Sequence, residues 1–128
     1  MMIAGFVALM TCKAERKRAP AAGCSSGIWL IDWDYAGFNS PLFDLAGLAS
    51  NSDMSAEQEL QVLELYYGEK PDSLLVRRYH AMKCASLLRE TMWSMVSELT
   101  SELDFDYAAY TAENLAAFRQ SHTDFLTM

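Results

Sequence analysis

The chain has 128 residues, 52% hydrophobic and 12% aromatic, long and apolar enough to build one real core. Its net charge of −7 excludes an electrostatic nucleic-acid-binding surface and a basic membrane-binding face. The three cysteines, Cys12, Cys24 and Cys84, are widely spaced in no metal-ligand pattern, and their odd count predicts reduced thiols and a cytoplasmic setting.

Residues 1–26 do not read like the rest. Ile3 to Met10 is an apolar run with no positive charge before it; Lys13, Arg16, Lys17 and Arg18 follow it instead. That order is wrong for a signal peptide, and the run is too short to cross a bilayer. Next comes Ile28-Trp29-Leu30-Ile31, four large apolar residues in the pattern of a short buried strand. It breaks into Asp32-Trp33-Asp34, with Gly37 three residues on. A carboxylate at the exit of a buried strand must reach solvent or hold a cation. Two of them ahead of a turn-forming glycine make Asp32 and Asp34 candidate ligands for a divalent metal.

From there the chain reads as helical. Ser40 can cap a helix with Pro41 at its first position, and Asp44 then falls in the first turn, where the helix dipole favours an acid. Ser55-Ala56-Glu57-Gln58 is a capping box and Gly68 a left-handed stop. Between them Leu60, Leu63 and Tyr67, with Val62 and Tyr66, predict an amphipathic scaffold helix. Pro71 and Asp72 open the longest helix, expected to reach about Thr100. Its positions Ala81, Ala85, Leu88, Met92, Val96 and Leu99 recur every three or four residues and predict a core stripe, with Met82, Met92 and Met95 filling gaps. Trp93 sits beside that stripe among Arg89, Glu90 and Ser97, a large ring on an otherwise polar face, suited to a pocket wall. Leu103 to Tyr110 leads into a last helix reaching Phe118 or beyond. His80 and His122 have no second ligand at helical spacing and read as structural or surface residues.

Two stretches together resemble a known family. Ile31-Asp32-Trp33-Asp34-Tyr35-Ala36-Gly37, followed by Pro41-Leu42-Phe43-Asp44-Leu45-Ala46, is similar to the metal-binding segment of the choline/ethanolamine kinase and aminoglycoside phosphotransferase group. Met92-Trp93-Ser94-Met95-Val96, followed by Asp104-Phe105-Asp106-Tyr107-Ala108-Ala109-Tyr110, resembles the aromatic-cage region of choline kinases in particular. The resemblance runs from about Gly27 to about Phe118. It implies a mainly α fold with a short β-strand or hairpin near residue 28, the C-terminal lobe of the protein-kinase-like fold. It divides the chain into a non-matching segment, 1–26, and a lobe, 27–128.

The implied activity is transfer of the ATP γ-phosphoryl to the hydroxyl of a small amino alcohol such as choline or ethanolamine. Mg2+ would be held by Asp32 with Asp34 assisting, and Asp44 would brace the catalytic loop. Trp93 and Tyr110 would hold the ammonium. Animal choline kinases carry a second Trp where this chain has Glu90, whose carboxylate attracts a cation in another way. Asn51 falls where those enzymes have an acidic pocket residue. The departure upstream is larger. The family's catalytic loop reads roughly H-x-D-x-x-x-x-N, and no histidine or asparagine precedes Asp32 here. No catalytic base is therefore assigned, and residues 1–128 alone are expected to be inactive. An aminoglycoside-type phosphotransferase and a non-catalytic truncated product are the alternatives. Apolar surface left by an absent lobe would favour self-association.

Overall fold

The computed structural model describes the backbone of 3–4, 8–11, 28–31 and 36–37, and residues 39–128 in full. The chain divides into two units, Met1–Asn39 and Ser40–Met128. In the first, β1 (Ile3–Ala4) pairs antiparallel with β4 (Ala36–Gly37), Ile3 opposite Gly37. There too, β2 (Ala8–Thr11) pairs antiparallel with β3 (Ile28–Ile31), Ala8 opposite Ile31 and Thr11 opposite Ile28. The strand expected at Ile28 is therefore present, and its partner comes from the segment that matches no part of the resemblance.

The second unit is four helices among the described residues: α1 (Pro41–Asn51), α2 (Ala56–Tyr67), α3 (Ser73–Thr100) and α4 (Tyr107–Thr127). This is the mainly α architecture that the sequence predicts. Pro41 takes the first turn of α1, although the Ser40 side chain makes no capping bond. Ser55 and Gln58 form the complete capping box of α2, and Gly68 ends it at φ 76°, a left-handed conformation that costs a residue with a Cβ about 1–2 kcal/mol. Asp72 caps α3, its carboxylate accepting from the Leu75 N–H at 2.7 Å.

The core of this unit is Leu42, Ala46, Ala49, Leu63 and Tyr79, with Leu45, Met54, Leu75 and Met82 packed around it. Helix α1 lies antiparallel to α3: the Arg89 guanidinium sits over the Phe43 ring at 5.7 Å, and four residues further along α1 Gly47 faces Ser86. A Cβ on Gly47 would lie 3.3 Å from Ser86 Oγ, so glycine permits this close approach. Helix α2 is anchored by Leu63 and by the buried Glu59, which pairs with Lys83 of α3. Leu60, Tyr66 and Tyr67, expected on its apolar face with Leu63, are exposed, and only Leu63 is fully covered.

One expectation is reversed. The stripe Leu88, Met92, Val96 and Leu99 faces outward, and α3 instead buries Cys84, Leu87, Glu90, Thr91, Ser94 and Ser97. The reason lies in α4, which runs antiparallel to α3 and meets it through small hydroxyl and thiol groups. The Thr111 hydroxyl donates to Ser94 Oγ at 2.8 Å, the Ser94 hydroxyl to the Thr91 carbonyl at 2.8 Å, and Cys84 Sγ lies 3.4 Å from Ser121 Oγ. Such groups let backbones approach closely and satisfy one another when buried. A bulky apolar stripe cannot occupy the same seam, so it points the other way. No helix among the described residues is long and apolar enough to cross a membrane.

The single apolar anchor of α2 makes a clean contrast. Leu63→Ala should destabilise the protein by about 2–5 kcal/mol, whereas Leu65→Ala, at a position 83% exposed, should stay within about 0.5 kcal/mol. Urea unfolding of both variants checks this, and equal losses would show that α2 docks by another face.

Candidate functional site

Four aromatic rings gather where the C-terminal half of α3 meets the start of α4. The Asp106 carboxylate caps α4 by accepting from the Ala109 N–H at 2.9 Å, which sets Tyr107 at the first helical position and Tyr110 one turn later. Phe105, just outside the helix, touches both: its ring centroid is 4.9 Å from that of Tyr107 and 5.6 Å from that of Tyr110, each edge to face. Trp93 of α3 meets Tyr107 edge to face at 6.1 Å. Trp93 and Tyr110 thus belong to one run of rings, joined through Tyr107 and Phe105. Tyr107 is buried, its hydroxyl 3.0 Å from Ser101 Oγ, while Trp93 and Phe105 remain about half exposed.

The polar half of the site is centred on Glu90. Tyr110 donates its hydroxyl hydrogen to Glu90 Oε1 at 3.0 Å, and Arg89 donates to Oε2 at 3.1 Å. Glu90 is 9% exposed, so the carboxylate is held inside the fold, not on an open rim. Burial, then the adjacent Glu90 charge and the hydrogen bond to it, push the Tyr110 hydroxyl above its usual range. The phenol stays neutral, and a phenol donating to a carboxylate has a more electron-rich ring, which strengthens its attraction for a cation.

Arg89 connects this group to α1. Besides its place over Phe43, its charge acts on Asp44. Asp44 Oδ2 is buried without a hydrogen-bond partner among the described residues. Burial raises the Asp44 carboxyl above its ordinary 3.8, and the Arg89 charge offsets this only in part. Asn51 is placed elsewhere. It is exposed as the last residue of α1, eight residues beyond Phe43 and so about 12 Å along the helix from the Arg89 contact. Asp32 and Asp34 lie outside the described residues, and no group of three His, Cys, Asp or Glu among the described residues could hold a metal.

Sequence reasoning selected Glu90, Trp93 and Tyr110 but passed over Arg89, Phe105 and Tyr107. Adjacent residues on a helix do not ordinarily face each other, so Arg89 and Glu90 gave no pairing signal. Phe105 and Tyr107 belong to the Asp104–Tyr110 stretch, and their five- and three-residue offsets to Tyr110 across a helix start are the available signal.

A solved choline/ethanolamine kinase family protein from Mesorhizobium loti superposes on this chain with a TM-score of 0.68 and 25% identity, covering 75% of this chain and 33% of its own. Over its helical part the chain is similar to choline/ethanolamine kinase family proteins. Protein LicA of Haemophilus influenzae strain Rd is 26% identical over 102 residues, covering 72% of this chain and 36% of the relative. A second Protein LicA of Haemophilus influenzae matches at 26% over 102 residues, 28% of its length. The kinase-like chain therefore spans about a third of the length of these relatives. No family model matches it.

The Asp44 carboxyl supplies a pH test. A carboxyl whose folded pKa is raised contributes stability that is present below the unfolded value, 3.8, and lost as pH rises through the folded value. Asp44→Asn should therefore raise the melting temperature at pH 7, with the gain shrinking as pH falls toward 3.8. A variant less stable than wild type at pH 7 would show that Asp44 is held by a favourable charge contact.

Proposed function

We propose that the chain is the acceptor-binding portion of a choline/ethanolamine kinase-like phosphotransferase, an enzyme that moves the γ-phosphoryl of ATP to the hydroxyl of a small amino alcohol. The observation that carries this is the Tyr110–Glu90 hydrogen bond at the end of the run of rings from Trp93. A substituted ammonium offers few hydrogen bonds or none, so aromatic faces and a nearby carboxylate are what can hold it. In this reading Trp93 and Tyr110 take the cation, and Phe105 and Tyr107 support their rings. Glu90 orients Tyr110 and supplies negative charge, most of which Arg89 balances. Asn51, exposed at the far end of α1, is given no part.

Mg2+ is assigned by sequence to Asp32 with Asp34, and it would neutralise charge on the nucleotide phosphates. The chain's own described residues act on the acceptor side, by binding and orienting. Cys84 as a buried free thiol supports a reducing, cytoplasmic setting.

Phosphoryl transfer depends on a base, metals and a nucleotide clamp held together. Without the loop Asp and Asn of the family, residues 1–128 bind the acceptor but do not turn it over. Two measurements test this reading. Choline should quench tryptophan fluorescence saturably, with the effect lost in Trp93→Phe and the affinity roughly tenfold weaker in Tyr110→Ala. Radiolabelled ATP should transfer no phosphate to choline. Absence of any saturable choline effect would overturn the acceptor reading, and turnover abolished by Asp32→Ala would overturn the inactivity.

A further inference from the structure

Glu90 is the carboxylate bonded into the ring cluster, and both of its oxygens are already engaged. Oε1 accepts from Tyr110 at 3.0 Å and Oε2 from Arg89 at 3.1 Å. The Arg89 side chain is 39% exposed and that of Glu90 11%, so the guanidinium reaches the acid from the solvent side. It also rests over the Phe43 ring at 5.7 Å, which holds it from α1. Other acceptors near the rings are engaged too. Ser101 Oγ meets the Tyr107 hydroxyl and the Leu103 N–H, and the Asp106 carboxylate caps Ala109. Asp104, next to Phe105, is exposed to solvent.

A site with ring faces and no open acceptor discriminates within a series of amines. A trimethylammonium has no N–H to satisfy, so ring faces alone can hold it. A primary ammonium carries N–H donors, and moving it from water onto these rings leaves them unpaired, at a cost in affinity. We infer that Arg89 sets the selectivity of this site for a quaternary over a primary ammonium, by occupying the Glu90 oxygen that a primary ammonium needs. The inference rests on the proposed acceptor site and names its preferred substrate, choline before ethanolamine. Arg89 acts through Glu90 and is a positioning residue. Its own positive charge weakens binding of any cation, but equally across the series, since every member carries the same charge. The ratio of two affinities therefore isolates the hydrogen-bonding part.

Calorimetric titration of the full chain with ethanolamine, its N-methyl and N,N-dimethyl forms, and choline tests it. For wild type the affinity should rise with each methyl group, choline binding about tenfold or more tighter than ethanolamine. Arg89→Met keeps an apolar stem, removes the donor and frees one oxygen of Glu90. The choline-to-ethanolamine ratio should then fall about threefold or more, because ethanolamine supplies the missing donor and choline cannot. Adding Glu90→Gln to Arg89→Met should abolish that narrowing, and the pair leaves no stranded buried charge to unfold the protein. Wild type that binds choline and ethanolamine equally overturns the inference while the acceptor site stands. So does Arg89→Met with an unchanged ratio, or a double variant that keeps the narrowed one. Wild type that binds none of the four amines overturns the acceptor site, and the inference with it.

Discussion

The close seam between α3 and α4 is the constraint on which the rest of the second unit depends. Ser94 is fully buried, accepts from Thr111 and donates to the Thr91 carbonyl, while Cys84 meets Ser121 two to three turns away. Each of these groups is small and each finds a polar partner, so the helices approach closely without stranding a donor. Their spacing fixes the rotation of α3 about its axis. Once that is set, Trp93 must lie toward the start of α4, Glu90 within reach of Tyr110, and the bulky stripe on the far side.

The same rotation arranges the charges. Arg89 contacts α1 through Phe43 and pairs with Glu90, which in turn receives Tyr110 from α4. A carboxylate this buried is tolerable only because both oxygens are engaged, and losing either donor would leave charge without compensation. In the proposed function, a cation bound beside Tyr110 would draw on an electron-rich ring and a partly balanced carboxylate, not on an open acidic surface. That fits a small ammonium ion better than a polycation.

Much of the local structure could be read in the sequence, because caps and stops are chemical signals over a few residues. Pro41, the Ser55–Gln58 box, Gly68 and Asp72 mark the helix ends where they occur. The direction in which a helix faces was less legible. On α3 the strongest apolar periodicity marked the outer face, because burial there follows the fit of Ser94 to Thr111, which no hydropathy pattern encodes. Likewise Glu90 and Tyr110 were legible as single residues, but their bond required the antiparallel placement of two helices. The pairing of Ala8–Thr11 with Ile28–Ile31 joins segments too far apart in sequence for any local signal.

The central claim is that the hydroxyl contact across α3 and α4 sets the orientation of everything else. A double-mutant cycle on Ser94→Ala and Thr111→Val, followed by urea unfolding, tests it most directly. A coupling of about 0.5–1.5 kcal/mol between the two sites is the expected result. Losses that simply add would mean the two side chains do not meet, and the seam would not govern the site.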